Sequence, residues 1–370
     1  MRATLNFAFT SEQEELKATT RRFLTQRLPT SLVRTTMEST TPIPIDLWQA
    51  MVDELGIAGL LIPESQGGLG LGFVEAACVL QEIGRAVAPL PFLVTSVLGA
   101  SLLNQADSDD PVIAETIAGI SSGAVVLGLA CGTAEHPLHP SGTWHDTGIE
   151  AESRFVLDGA QATHLLVTLQ KEDEWVLALV RADAPGVVLT QQTTLDLTRP
   201  MAQVSFNASP GTMVLDGPAL EAATLAFEIL ADASMAQDMV GGAERVLEMS
   251  VAYAKDRHQF GRPIGSFQAV KHRLADMLVD LESAKSVALY AAFTLADQAD
   301  DQAIAATTAK ATCGDAYYRI AASSIQVHGG IGFTWEHDAH LYFKRAKADQ
   351  ILFGNGTAQR RKLAHLLGII

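Results

Sequence analysis

At 370 residues the chain exceeds what one hydrophobic core ordinarily fills, so two or three packed units are expected. It is 48% apolar and 18% charged, which excludes a disordered segment, and a net charge of −16 argues against nucleic acid as a partner. That charge is uneven: residues 251–370 hold 14 Lys and Arg against 11 Asp and Glu, whereas the first 250 hold 12 against 31, so anion binding belongs late.

Ser11 to Gln26 opens with a capping residue and first-turn acids and continues with apolar residues at helical spacing, which predicts a helix. The same stretch, with Arg2 before it and Glu12, Glu14 and Glu15 inside it, lacks the apolar run of a secretory signal. Further helices are read at Pro44 to Leu55, where Leu47, Met51 and Leu55 recur every four residues, and at Gly72 to Val87. Between them, Pro63 to Gly70 is a glycine-rich turn without the strand and lysine of a phosphate loop. Ala86 to Leu103 carries no charge, but Pro89 and Pro91, with Thr95, Ser96 and Ser101, read as a loop feeding a buried helix and not as a membrane span. Cys78, Cys131 and Cys313 have no CxxC spacing, which argues against disulfides or structural zinc and suits a reducing cytoplasm.

From about Gly123 the texture changes to short alternating or apolar runs: AVVLGLA, FVLDGA, THLLVTL, WVLALVR, GVVLT, AQVSFN and TMVLDG. Separated by turn residues, these predict a compact antiparallel β unit ending near Gly217. From Pro218 onward Ala, Leu, Glu and Met dominate, which predicts a helical bundle. The expected class is therefore α+β, with an N-terminal helical domain over 1–120, a middle β domain over 121–217 and a C-terminal helical domain over 218–370. Without βαβ alternation, a nucleotide would have to be held by something other than a doubly wound sheet.

Two C-terminal segments offer such a device. Arg257 to Gln268 (RHQFGRPIGSFQ) joins two helices and combines a guanidinium suited to phosphate oxygens, an aromatic ring suited to a flat heterocycle, and an amide. Gln326 to Phe333 (QVHGGIGF) adds glycines that let backbone approach a ligand closely, although each glycine alone reads as a helix-ending turn.

Together with Pro63 to Gly70, these segments resemble the acyl-CoA dehydrogenases. The order RxxFGxxIxxxQ, LADM, QxxGGxG and GTAQ follows the family's own, and the resemblance spans the chain. It implies the family's fold, a four-helix C-terminal domain included, and FAD-dependent α,β-dehydrogenation of an acyl-CoA thioester with an electron-transfer flavoprotein reoxidising the flavin. By motif, Arg257, Phe260, Gln268, Gln326, Gly329 and Gly330 match residues that hold the adenine and pyrophosphate half of a neighbouring subunit's FAD. Thr357 and Gln359 match residues that approach the subunit's own FAD.

Two departures from the family concern catalysis. Asn355 stands where most members have the glutamate base, and a carboxamide is no base near neutrality. Some members place the base on the helix before the arginine motif, which here falls near Ala231 and Asp232. Asp232 is the candidate, on an apolar stripe with Leu225, Ile229, Met235 and Met239, and Glu228 is a poorer one. The family's TEP and GSD signature is also missing from Gly128 to Pro137. His136 with His139, and His337 with His340, have a metal-like spacing but read as surface turns. The resemblance thus implies a base-lacking subunit that pairs with a complete, base-containing one in an α2β2 assembly, of the kind that degrades steroid CoA thioesters in bacteria. A self-sufficient homotetramer using Asp232, a non-catalytic scaffold, and a flavin oxidase on the same fold are the alternatives.

Overall fold

The computed structural model describes residues 7–106, 110–130, 132, 136 and 138–370. Arg2, Cys131, Thr133 to Glu135 and Pro137, on which parts of the sequence reading fall, lie outside them. Helices α1 (Ser11–Arg27), α2 (Thr30–Met37), α3 (Ile45–Leu55) and α4 (Phe73–Arg85) come first. A fully buried π-helical segment, Phe92–Gly99, then runs into α5 (Ala100–Leu103), followed by α6 (Pro111–Ser121). The expected loop feeding a buried helix after Pro89 and Pro91 is therefore present. Eight strands follow: β1 (Leu127–Ala130), β2 (Gly142–His145), β3 (Gly148–Leu157), β4 (His164–Lys171), β5 (Glu174–Arg181), β6 (Val187–Gln192), β7 (Met201–Ser209) and β8 (Thr212–Asp216). The chain finishes with α7 (Gly217–Asp256), α8 (Gln268–Ala296), α9 (Gln302–His328), α10 (Ala339–Ile351) and α11 (Gly356–Leu366). No helix among the described residues is long and apolar enough to cross a membrane.

Contacts gather the chain into two compact units that cut across its linear order. One holds residues 27–72 and 89–231. Its sheet runs β6-β7-β3-β1-β4-β5-β8, with β2 pairing β3 and β4 off that path. The sheet is mainly antiparallel, but β4 runs parallel to both β1 and β2, where a wholly antiparallel unit was expected. Inward side chains such as Ile149, Leu165, Val167, Ala178, Val204 and Phe206 form its core. The sequence reading missed β2 and residues 148–154 of β3. Glu150, Glu152 and Arg154 on the exposed side of β3 hide its apolar alternation, and β2 has only four residues.

The other unit holds the residues up to Gln26, with 73–88 and 232–370. Glycines bring α4 and α7 together: a Cβ on Gly84 would lie 2.0 Å from the Asp238 carbonyl oxygen, and one on Gly241 1.8 Å from that of Gln81. Polar groups buried at this crossing are satisfied in a relay, Gln81 Nε2 donating to Gln237 Oε1 (2.7 Å) and Gln237 Nε2 to the Ala288 carbonyl (2.7 Å). Helix α9 packs against α8, α10 and α11, so the expected four-helix arrangement carries α11 as a fifth member. Lys310 on α9, 2% exposed, donates to the carbonyls of Asp349 (2.8 Å) and Gly354 (3.3 Å), where α10 ends. A cation there satisfies orphan carbonyls and complements the helix dipole.

Candidate flavin-binding site

The two motifs read separately in the sequence arise from one end of the helical unit. Near the ends of α7 and α9, Ser250 Oγ donates to Ser324 Oγ (2.9 Å), and the rings of Tyr253 and His328 stack with centroids 4.5 Å apart. Arg257 follows α7 directly, and Gly329 caps the C-terminus of α9.

After Arg257 the chain makes a hairpin in which His258–Gln259 pairs with Arg262–Pro263 around a two-residue turn, Phe260-Gly261. Both turn residues have positive φ, +54° and +76°, as the type I′ hairpin turn demands. Glycine accepts that freely, but a bulky residue there costs about 1–2 kcal/mol. Phe260 nevertheless stands at the tip, 91% exposed. The Arg257 backbone is fixed on both sides, its N–H donating to Tyr253 O and its carbonyl accepting from Ile264 N, each 2.8 Å, while the residue is exposed. Gln268, in the first turn of α8, and Gln326, near the end of α9, are exposed as well.

Gly329 has φ +62° and ψ −141°, a backbone region open essentially to glycine alone. Gly330 differs in that its φ is not positive, and a Cβ built on it, as on Gly329, would meet nothing within 4 Å. The chain's own packing thus asks for no glycine at 330, whereas a ligand approaching the backbone would. An exposed guanidinium, an exposed ring, two exposed amides and open glycine backbone are the donor set that an anionic, aromatic dinucleotide such as FAD requires, so these residues fit it.

The positions expected to bear on a catalytic base are arranged differently. Asn355 is the N-cap of α11, its Oδ1 accepting from the N–H groups of Thr357 and Ala358, each at 3.0 Å. Thr357 is exposed, but Gln359, expected to approach flavin, is 3% exposed and turned inward. Its Nε2 donates to Asp232 Oδ1 (2.8 Å) and to the Phe353 carbonyl (2.8 Å). Asp232 is 2% exposed, as its apolar neighbours predicted, but its other oxygen pairs with Lys362 Nζ at 3.2 Å. Both oxygens of this candidate carboxylate are thus engaged, one by an amide and one by an ammonium. The proposed stripe also fails at Leu225, which is 57% exposed.

Sequence reasoning missed a ring cluster of Tyr253, His328 and His337. His328 and His337 stack at 4.2 Å, and Tyr253 meets both. His328 Nδ1 donates to Ser324 O (2.8 Å), which leaves the lone pair on Nε2, buried and without a partner. Burial lowers the His328 pKa, the Ser324 carbonyl opposes this, and His337 adds to the lowering. The spacing of Tyr253 one helical turn before Arg257, and His328 against the glycine pair, was the available signal. His340, read as a turn residue, is instead buried in α10, with its ring against Trp335 at 4.8 Å. His139 stacks on Trp175 at 4.7 Å, and no group of three metal-ligating side chains occurs among the described residues.

Residues 10–110 match the acyl-CoA dehydrogenase N-terminal domain, and residues 230–367 match the acyl-CoA dehydrogenase C-terminal domain. Over 360 residues, 95% of this chain and 97% of the relative, the chain is 32% identical to the acyl-CoA dehydrogenase IpdE2 of Mycolicibacterium smegmatis. The chain belongs to the acyl-CoA dehydrogenase family. Among solved acyl-CoA dehydrogenase folds it is similar to the ChsE4-ChsE5 complex from Mycobacterium tuberculosis, at 28% identity and a TM-score of 0.88 over 99% of this chain and all of that one. It is likewise similar to a variant of the Tcur3481-Tcur3483 steroid ACAD, at 27% identity and a TM-score of 0.86 over 97% of this chain and 98% of that one.

Proposed function

We propose that this chain is the base-lacking subunit of a heteromeric, FAD-dependent acyl-CoA dehydrogenase, paired in an α2β2 assembly with a subunit that supplies the base. The state of Asp232 carries the reading: the carboxylate at the family's alternative base position is paired to Lys362, and the usual position is a helix cap. The hairpin and glycine groups, by contrast, are exposed and open. Bound FAD supplies the hydride acceptor for α,β-dehydrogenation of the thioester. Arg257 offers a charge-assisted contact to phosphate, Phe260 an apolar ring to a flat heterocycle, Gln268 and Gln326 neutral amides, and Gly329 and Gly330 close backbone approach. These groups bind and orient the dinucleotide, and none exchanges a proton with substrate. That one similar structure is of a two-protein complex and another of a steroid acyl-CoA dehydrogenase supports a heteromer acting on steroid-type CoA thioesters. Electrons then pass to an electron-transfer flavoprotein, in the cytoplasm.

Co-expression with a base-containing member of the family, followed by native mass spectrometry, tests the assembly. Two flavins per α2β2 tetramer are expected, since only interfaces joining the partner's flavin pocket to this chain's grip are complete. A yellow, active homotetramer of this chain alone carrying four flavins overturns the proposal.

A further inference from the structure

The hairpin that presents Phe260 has little to hold it. Each of its strands is two residues long, and paired strands of that size are marginal in water without further packing. Its tip residue sits in a backbone conformation that a bulky side chain resists. Both features would let the tip fray and spread Phe260 over many positions.

One side chain is set against that tendency. Phe267, the N-cap residue of α8, is half-buried and tied to the chain before it, its N–H donating to Ile264 O at 3.1 Å. The Arg262 guanidinium lies over the Phe267 ring, 4.1 Å from its centroid. Phe260 meets the same ring in a T-shaped contact with centroids 6.1 Å apart and planes at 85°. Residues from the tip and from the returning strand are thus gathered on one aromatic residue anchored at the start of α8. Arg262, inside the segment from Arg257 to Gln268, has its planar cation stacked on Phe267 in the folded chain.

We infer that Arg262 and Phe267 are positioning residues for the flavin grip: their stack pre-forms the strained hairpin and fixes Phe260, and Arg262 acts through Phe267 and not as a phosphate ligand. The inference rests on the proposed FAD-binding role of the hairpin. Pre-organisation of this kind raises affinity by removing an ordering cost at the moment of binding.

The test is FAD affinity, measured by flavin fluorescence on the deflavinated complex, in a double-mutant cycle of Arg262→Ala and Phe267→Leu. Each single change is expected to weaken FAD binding about three- to thirtyfold, from the range of cation–π strengths. The double variant should be no weaker than the worse single variant, because both changes remove one stack. Arg262→Lys, which keeps a cation over the ring, should recover most of the affinity. Hydrogen exchange of residues 257–267 should quicken in both single variants without FAD present. Additive losses, with unchanged exchange in Arg262→Ala, would show direct phosphate binding by Arg262 and overturn the inference. Wild-type complex that binds no FAD would instead overturn the proposed function.

Discussion

Lys362 Nζ stands 3.2 Å from Asp232 Oδ2 while Gln359 Nε2 stands 2.8 Å from Oδ1, so α7 is tied to the last helix, α11. Asp232→Asn keeps the shape and the Gln359 contact and should cost about 1 kcal/mol. Lys362→Met leaves a buried carboxylate with its cation removed and should cost more, about 2–3 kcal/mol. Urea denaturation of the complex measures both. Turnover per bound flavin in Asp232→Asn should stay within about twofold of wild type; a loss of orders of magnitude would restore Asp232 as the base.

Arg257→Ala should strip FAD from the complex. A charge-assisted phosphate contact contributes about 1.5–3 kcal/mol, roughly a ten- to hundredfold loss of affinity, whereas the neutral amide removed in Gln268→Ala contributes less. Flavin absorbance after gel filtration gives the answer, and full occupancy in Arg257→Ala would contradict the assignment of the grip.

Asn355→Ala removes both hydrogen bonds that cap α11 and should lower stability by about 1 kcal/mol. Asp is an equally good cap and suits the helix dipole, so Asn355→Asp should lie within about 0.5 kcal/mol of wild type. Equal losses in both variants, by thermal denaturation, would mean that the amide group of Asn355 has another role.

Where α4 meets α7, Gly84→Ala and Gly241→Ala each drive a methyl group into backbone oxygen and should destabilise by about 2–4 kcal/mol. Gly314, inside α9, is a contrast, because its added Cβ would come no closer than 3.6 Å to any neighbour. Gly314→Ala should stabilise by about 0.5–1 kcal/mol through helix propensity alone. Melting temperatures of the three variants separate close packing from backbone preference.

The pKa of His328 is lowered in the folded chain, chiefly by burial, so the unfolded chain binds its proton more readily. The stability this residue contributes is complete above the ordinary histidine value of about 6.5 and is lost as pH falls from there through the lowered folded value. His337, 4.2 Å away, adds to that lowering. Stability measured from pH 8 to 5 should fall at the acidic end, and His328→Phe should flatten that fall.

The sequence by itself determined the order of helices, strands and helices, because 3.6-residue and two-residue periodicities are local and survive reading along the chain. It also pointed to the family and named the residues of the proposed grip, since Arg257, Phe260 and Gln268 lie close together in the chain. It determined that Asn355 is no base from the chemistry of the amide, though not that Asn355 caps a helix. Only the tertiary structure decided the state of Asp232, because its partners lie 127 and 130 residues away and no periodicity couples positions so far apart. The inward turn of Gln359 and the joining of Tyr253 to His328 were decided in the same way. Burial tells which side chains leave water, but the groups that then meet are chosen by how the helices pack, and that choice fixes whether a buried carboxylate is a base or half of an ion pair.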